Sequence, residues 1–204
     1  MKKNFGDLAS QESINKTKDA LIKNGIDVLV VENGAEAKEK CLQIIPEGAE
    51  VMTMTSETLR LAEIAKELNE SGKYNSVRGQ FAKMDRKTQG LEMQKLGAAP
   101  EWAIGSVHAV TEDGKVIVAS ATGSQMAGYV YGSTHVLWVV GSQKIVNDLD
   151  EGIKRIYEYV LPLESERAMK AYGQGSSVNK LLIFNKEATP GRITMIIIKE
   201  KLGF

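Results

Sequence analysis

An α/β layer fold built on a largely parallel sheet is what this 204-residue chain predicts, and three observations carry the prediction. Short, β-branched apolar runs alternate with stretches of helical periodicity along most of its length. Glycine, proline, asparagine and serine punctuate the boundaries between them. The stretch 102–146, WAIGSVHAVTEDGKVIVASATGSQMAGYVYGSTHVLWVVGSQKIV, holds three apolar runs separated by glycine-rich turns. That is the pattern of strands delivering loops to one edge of a sheet, where ligands of open α/β sheets sit.

Taken in order, Ser10 caps a helix running to about residue 24, with Ile14, Leu21 and Ile22 on one side and Gly25 as the stop. IDVLVV (26–31) reads as a buried strand. Asn33 with Glu36 opens the next helix, whose apolar face carries Ala37, Cys41, Ile44 and Ile45. Cys41 on that stripe is expected to be an inert core thiol. AEVMTM (49–54) is a second strand running into TSETLRLAEIAKEL, a helix with Thr55 or Ser56 at its N-cap. Those hydroxyls are caps first; with the free backbone N–H groups they also form a candidate anion site.

Residues 71–100 break the alternation and read as short helices across the sheet edge, either solvated or acting as a lid. Arg78 or Arg86 would then reach an anionic ligand, because guanidinium pairs bidentately with carboxylate or phosphate. After the central stretch, residues 148–160 form a helix, Pro162 begins another that Gly173 closes, and GQGSSVN is a flexible connection. LLIF (181–184) and ITMIII (193–198), joined through Pro190-Gly191, are expected to form an antiparallel edge pair.

Candidate site residues follow each apolar run of the central stretch. Glu112-Asp113 is its only paired carboxylate, a candidate general base and also an ordinary turn ahead of Gly114. His108 can titrate near neutral pH, or can be a satisfied core histidine. Gly123-Ser124 at a helix start permits close backbone approach to a ligand, as does Gly105 after WAI. Lys144 is either a point charge for phosphate or carboxylate or a solvated strand end.

Composition narrows the classes of function. Lys and Arg number 26, balanced by 26 Asp and Glu, so no electrostatic case exists for nucleic acid or an anionic membrane surface. One cysteine excludes an internal disulfide and a CxxC-type zinc or iron–sulfur site made by this chain alone, and two histidines argue against a histidine-rich metal site. No GxxxxGK[ST] or GxGxxG motif is present. The N-terminal MKKNFGDLAS lacks an apolar leader core and no run reaches membrane-span length, so the expectation is one cytoplasmic domain over residues 1–204 with a helical excursion at about 71–100.

The run GSVHAVTEDGKVIVASATGSQMAGYVYGSTHVLWVVGSQKIVNDLDEGIKRI resembles the lactate-utilisation (LUD) domain family. EVMTMTSETL, RKTQGLEMQKLGAAPEWAIGS and RITMIIIKEKLGF extend the resemblance over nearly the whole chain. It implies a Rossmann-like α/β sheet with helices on both faces and an antiparallel edge, similar to CoA transferases, ribose-phosphate isomerases and formyltetrahydrofolate cyclo-ligases. By the same resemblance, residues 53–58 match a serine/threonine loop that contacts phosphate or carboxylate, and TEDGKV an acidic turn lining the active site. The chain departs from glycine-rich versions of that loop, having Thr-Met-Thr-Ser, and it lacks the cysteine clusters of some lactate-system proteins.

Two functions are therefore expected. In the first, the protein binds a small anionic metabolite of lactate or related hydroxy-acid metabolism among Thr55, Ser56, Arg78, Gly105, Gly123, Ser124 and Lys144, with Glu112 and His108 as catalytic candidates. In the second, a non-catalytic subunit uses the surface around residues 78–86 to dock on an iron–sulfur oxidoreductase. No cofactor is identified by either.

Overall fold

The computed structural model describes residues 4–204; residues 1–3 of the charged N-terminal stretch lie outside them. Helix α1 (Gln11–Lys23) begins where the Ser10 hydroxyl accepts the Ser13 N–H at 3.1 Å. Strand β1 (Asp27–Val31) leads to α2 (Gly34–Ile44), capped by Asn33 through the Glu36 N–H at 3.0 Å. Strand β2 (Glu50–Thr53) then feeds two short helices, α3 (Glu57–Leu61) and α4 (Ile64–Glu70), in place of the single helix expected. They part at Glu63, a non-glycine residue with φ of 55° that breaks the helical path.

The 71–100 segment is helical, as its periodicity predicts, apart from a two-residue strand β3 (Asn75–Ser76) that pairs with β2. It supplies α5 (Val77–Phe81) and α6 (Arg86–Ala98), the latter kinked at Gln89. The central stretch forms β4 (Trp102–Gly105), β5 (Ala109–Thr111), β6 (Val116–Ser120), the short α7 (Ser124–Ala127), β7 (His135–Gly141) and β8 (Ile145–Val146). Helices α8 (Leu149–Arg155) and α9 (Leu161–Tyr172) follow, then β9 (Lys180–Phe184) and β10 (Ile193–Ile198).

Six strands make one wholly parallel sheet in the order β1-β10-β7-β4-β2-β3. The other four make a mixed sheet, β8-β5-β6-β9. The antiparallel pairing lies in this second sheet, β5 with β6 and β6 with β9. The expected edge pair of the last two strands does not form. β10 is buried between β1 and β7 in the parallel sheet, whereas β9 is the exposed edge of the mixed one. The apolar run ITMIII carries the signature of a strand covered on both faces, which suits a central parallel position better than a hairpin edge.

Alternate residues of the parallel strands face two different cores. Val136, Trp138, Val140, Met195 and Ile197 pack toward Val110, Val116, Val118 and Phe184 of the second sheet, so the two sheets meet face to face. Leu137, Val139, Ile196 and Ile198 face α2, α3 and α4 through Ala37, Cys41, Leu59 and Leu68. Helix α1 adds Ile14 and Leu21 on the side toward the second sheet, so helices lie against both faces. The outer face of that sheet is covered by Ile156 and Phe5.

The helix expected to break at Pro162 does not break. Residues of α8 run into α9 through a π-helical turn, Ile156–Val160, with helical dihedrals at both joins. A π turn shifts the hydrogen-bond register by one residue, which accommodates the proline's missing N–H. Cys41 is fully buried, and burial pushes its thiol up to about 12, which makes it an unreactive core residue. Among the described residues, no helix is long and apolar enough to cross a membrane.

Candidate functional site

The loops leaving β2, β4, β6 and β7 converge on a cavity of about 1210 Å³. Helices α5 and α6 wall one side, and α9 with the connection after it walls the other. Of the residues singled out from the sequence, Thr55, Ser56, Arg78, His108, Gly123, Ser124 and Lys144 line it.

Lys144, expected at a strand end, is 3% exposed. Its Nζ lies 3.0 Å from Ser106 Oγ, 3.1 Å from Thr58 Oγ1 and 3.1 Å from the Val107 carbonyl. Three strand ends thus meet at one amine. Burial, then repulsion from Arg155, holds that amine well below the usual lysine range.

Immediately before β5 and also lining the cavity, His108 accepts the Ala119 N–H on Nδ1 at 3.1 Å, which places the ring proton on Nε2. Burial first, then the Lys144 and Arg155 charges, lowers its pKa to about 3. The ring is neutral at physiological pH, with its Nε2 proton available for donation, whereas a proton-cycling base works best with a pKa near the ambient pH. Arg155 lies behind it, fully buried, donating to the His108 carbonyl and resting over the Tyr159 ring at 5.2 Å. Its Nε has no hydrogen-bond partner among the described residues.

At the cavity wall Arg78 donates Nε to the Thr53 carbonyl at 2.8 Å and Nη2 to Thr55 Oγ1 at 3.1 Å. Burial and the neighbouring Arg86 charge pull its guanidinium below the usual value. Arg86 lines the same wall. Opposite stands Arg167, which is held in a bidentate pair by Glu164 at 2.6 and 2.7 Å. Among the described residues, no carboxylate lies within ion-pair distance of Lys144, Arg155, Arg78 or Arg86.

Gly123 has φ of 85° at the start of α7, and its N–H bonds to Ser120 Oγ at 2.8 Å. A β-carbon there would meet the Lys180 side chain, and the positive φ favours glycine at this turn. Ser124 and Thr122 bond to one another at the rim. Gly105 does not line the cavity. It lies beneath the floor, where a β-carbon would overlap the hydroxyl of the buried Tyr129.

Glu112 is not among the lining residues either. Its carboxylate accepts from Ser13 Oγ at 2.7 Å and pairs with Lys16 at 2.7 Å, tying the β5–β6 turn to α1. Asp113 pairs with Lys115 and Thr111 within the turn. TEDGK is thus a paired turn at some remove from the cavity lining.

Sequence reading passed over Arg155 and the Glu164–Arg167 pair, and it placed Thr58 and Ser106 in the right loops without giving either a role of its own. No short motif links α9 to the strand ends, so the Glu164–Arg167 pair has no local signal. Arg155 did leave one: it is a charge on the apolar stripe of α8, beside Gly152 and Ile156.

A crystal structure of a DUF162 family protein from Deinococcus radiodurans matches with a TM-score of 0.59 at 11% identity, covering 94% of this chain and 99% of that one. At this identity the likeness shows a shared fold. D-ribose-5-phosphate isomerase in complex with phospho-erythronic acid matches at a TM-score of 0.41 and 12% identity, over 83% and 95% of the two chains. No curated protein matches. The model of the LUD domain matches residues 14–201, nearly the whole length, and the chain belongs to the LUD domain family.

Proposed function

We propose that the protein binds a small anionic metabolite in the cavity at the strand ends, and that the ligand belongs to lactate or related hydroxy-acid metabolism. One observation supports this above the rest: the cavity's charges do not balance. Arg78, Arg86 and Arg167 line it, and the acidic side chains beside them are Glu57 and Glu164. Both carboxylates already hold an arginine, Arg60 at 2.8 Å and Arg167 at 2.6 Å. A ligand anion completes the set, because a desolvated cation without a counter-charge is unfavourable. The metabolic class rests on the resemblance to lactate-utilisation proteins.

Arg78 and Arg86 take the charged end, with Thr55 and Ser56 beside them. Gly123 and Ser124 close the facing rim, and His108 offers its Nε2 proton from within. The contribution of 71–100 to the cavity wall supports a lid role for that segment over a docking surface for an iron–sulfur partner.

The test is thermal shift of the isolated chain against lactate, pyruvate, sugar phosphates, CoA esters and folates. A ligand at a hundred times its Kd stabilises by about 2.7 kcal/mol. A shift with an anionic metabolite that Arg78→Ala removes is the expected result. No shift with any of them, together with co-purification with an iron–sulfur protein, would replace this reading with the docking one.

A further inference from the structure

Lys144 is the only lysine buried among the described residues. Its three neighbours set the directions open to its hydrogens and lone pair. The Thr58 hydroxyl donates its one proton to the Leu202 carbonyl at 3.1 Å, so toward Lys144 it can only accept. The Val107 carbonyl likewise only accepts. Those two directions consume both N–H groups of an uncharged amine. Nζ also donates toward Ser106 Oγ at 3.0 Å as an ammonium; in the uncharged amine that third direction belongs to the nitrogen lone pair, and the serine hydroxyl turns to donate to it. Ser106 and Lys144 both line the cavity.

We propose that Lys144 is a carbonyl-reactive amine that forms a reversible imine with an anionic aldehyde, ketone or 2-oxo acid held in the cavity. The inference rests on the anion-binding reading above and narrows it to carbonyl compounds. The surroundings favour the nucleophilic form: among the described residues no carboxylate lies within ion-pair distance of Nζ, Arg155 repels a second charge, and burial disfavours an ammonium. Lys16 provides the contrast. Its exposed amine is held charged by Glu112, which makes it a poor nucleophile.

The steps balance without a further reactant. The lone pair attacks the carbonyl carbon as the incoming ligand displaces the Ser106 hydroxyl from it. The carbonyl oxygen takes a proton relayed through Ser106 Oγ, while Nζ gives up one of its own, leaving a neutral carbinolamine. That hydroxyl then departs as water, carrying the second amine proton, and a C=N bond remains. Water reverses the sequence. Arg78 and Arg86 hold the carboxylate or phosphate of the same molecule.

The full chain is incubated at neutral pH with pyruvate, or separately with D-glyceraldehyde 3-phosphate, in the presence of cyanoborohydride, and the adducts are mapped by peptide mass spectrometry. Lys144 is expected to trap either probe roughly tenfold or more over Lys16, because a buried amine held uncharged is nucleophilic at neutral pH and an exposed ammonium is not. The two probes separate a carboxylate from a phosphate requirement. Ser106→Ala should slow trapping, and Lys144→Met should remove it with the circular dichroism unchanged. The wild-type labelling pattern needs no variant. Adducts spread evenly over surface lysines, or none at all, would overturn the proposal. A thermal shift by the same probes without an adduct would sink the amine chemistry alone; neither shift nor adduct would sink the binding reading too.

Discussion

The β5–β6 turn and the cavity lie a few residues apart in sequence, and they treat charge in opposite ways. At the turn, Glu112 meets Lys16 and Asp113 meets Lys115. In the cavity, Arg78 and Arg86 stand without carboxylate partners among the described residues, and Arg155 is buried deeper in the same region. Paired charges at a half-exposed turn fasten one element to another and have little left to offer a ligand. Unpaired cations in a desolvated pocket cost stability, and a ligand is what repays it. Carboxylates drew attention in the sequence because they are chemically versatile. The tertiary environment, not residue type, sets which group is available.

The largest effect that sharpens this contrast is expected beneath the cavity floor. Gly105→Val would drive a side chain into the Tyr129 hydroxyl and the Met54 side chain, destabilising the protein by about 3 kcal/mol. Urea denaturation measures it; a loss below the error of the melt would show that the floor can yield. Next comes Arg78→Ala, which should weaken binding of an anionic ligand by about ten- to a hundredfold, the range for a hydrogen-bonded charge. Calorimetric titration reads it, and unaltered affinity would place the anion elsewhere.

A smaller effect concerns pH. His108 has a folded-state pKa of about 3, below the ordinary value of 6.5. The unfolded chain therefore binds more protons between those values, and stability falls as pH drops from about 6.5 toward 3. Between pH 7 and pH 5 the loss is about 2 kcal/mol. Denaturant melts at the two pH values, with His108→Gln flattening the difference, check the sign and size. An equal slope in the variant would assign the acid sensitivity to other groups. The smallest effect belongs to the turn: Glu112→Gln should cost less than about 1 kcal/mol, because its partner Lys16 is exposed, and should leave ligand affinity alone. Loss of binding in that variant would erase the distinction between turn and cavity.

Much of the fold was legible because its signals are local. Ser10, Asn33 and Asp148 cap the helices their sequence patterns announce, and the apolar runs are strands. The partners of those strands were less legible. A short connection between β9 and β10 suggested a hairpin, yet the pair divides between two sheets, because burial on both faces draws ITMIII into the parallel sheet while KLLIF tolerates an edge. The site divides similarly. Thr55, Ser56, Gly123, Ser124 and Lys144 were nominated by their place after strands, the rule that also locates the cavity. Ser106 and Thr58 acquire meaning only through a common neighbour, 38 and 86 residues away respectively.

By itself, then, the sequence determined the order of elements, the family motifs and the set of loops that gather at one end of the sheet. Period, capping and turn chemistry act over a few residues, so a linear reading captures them. Only the tertiary structure decided that Glu112 is an anchor, that His108 is neutral and that Lys144 is a buried amine without a counter-charge. Solvation and Coulomb energy depend on what surrounds a group in space, and those surroundings come from segments far apart along the chain.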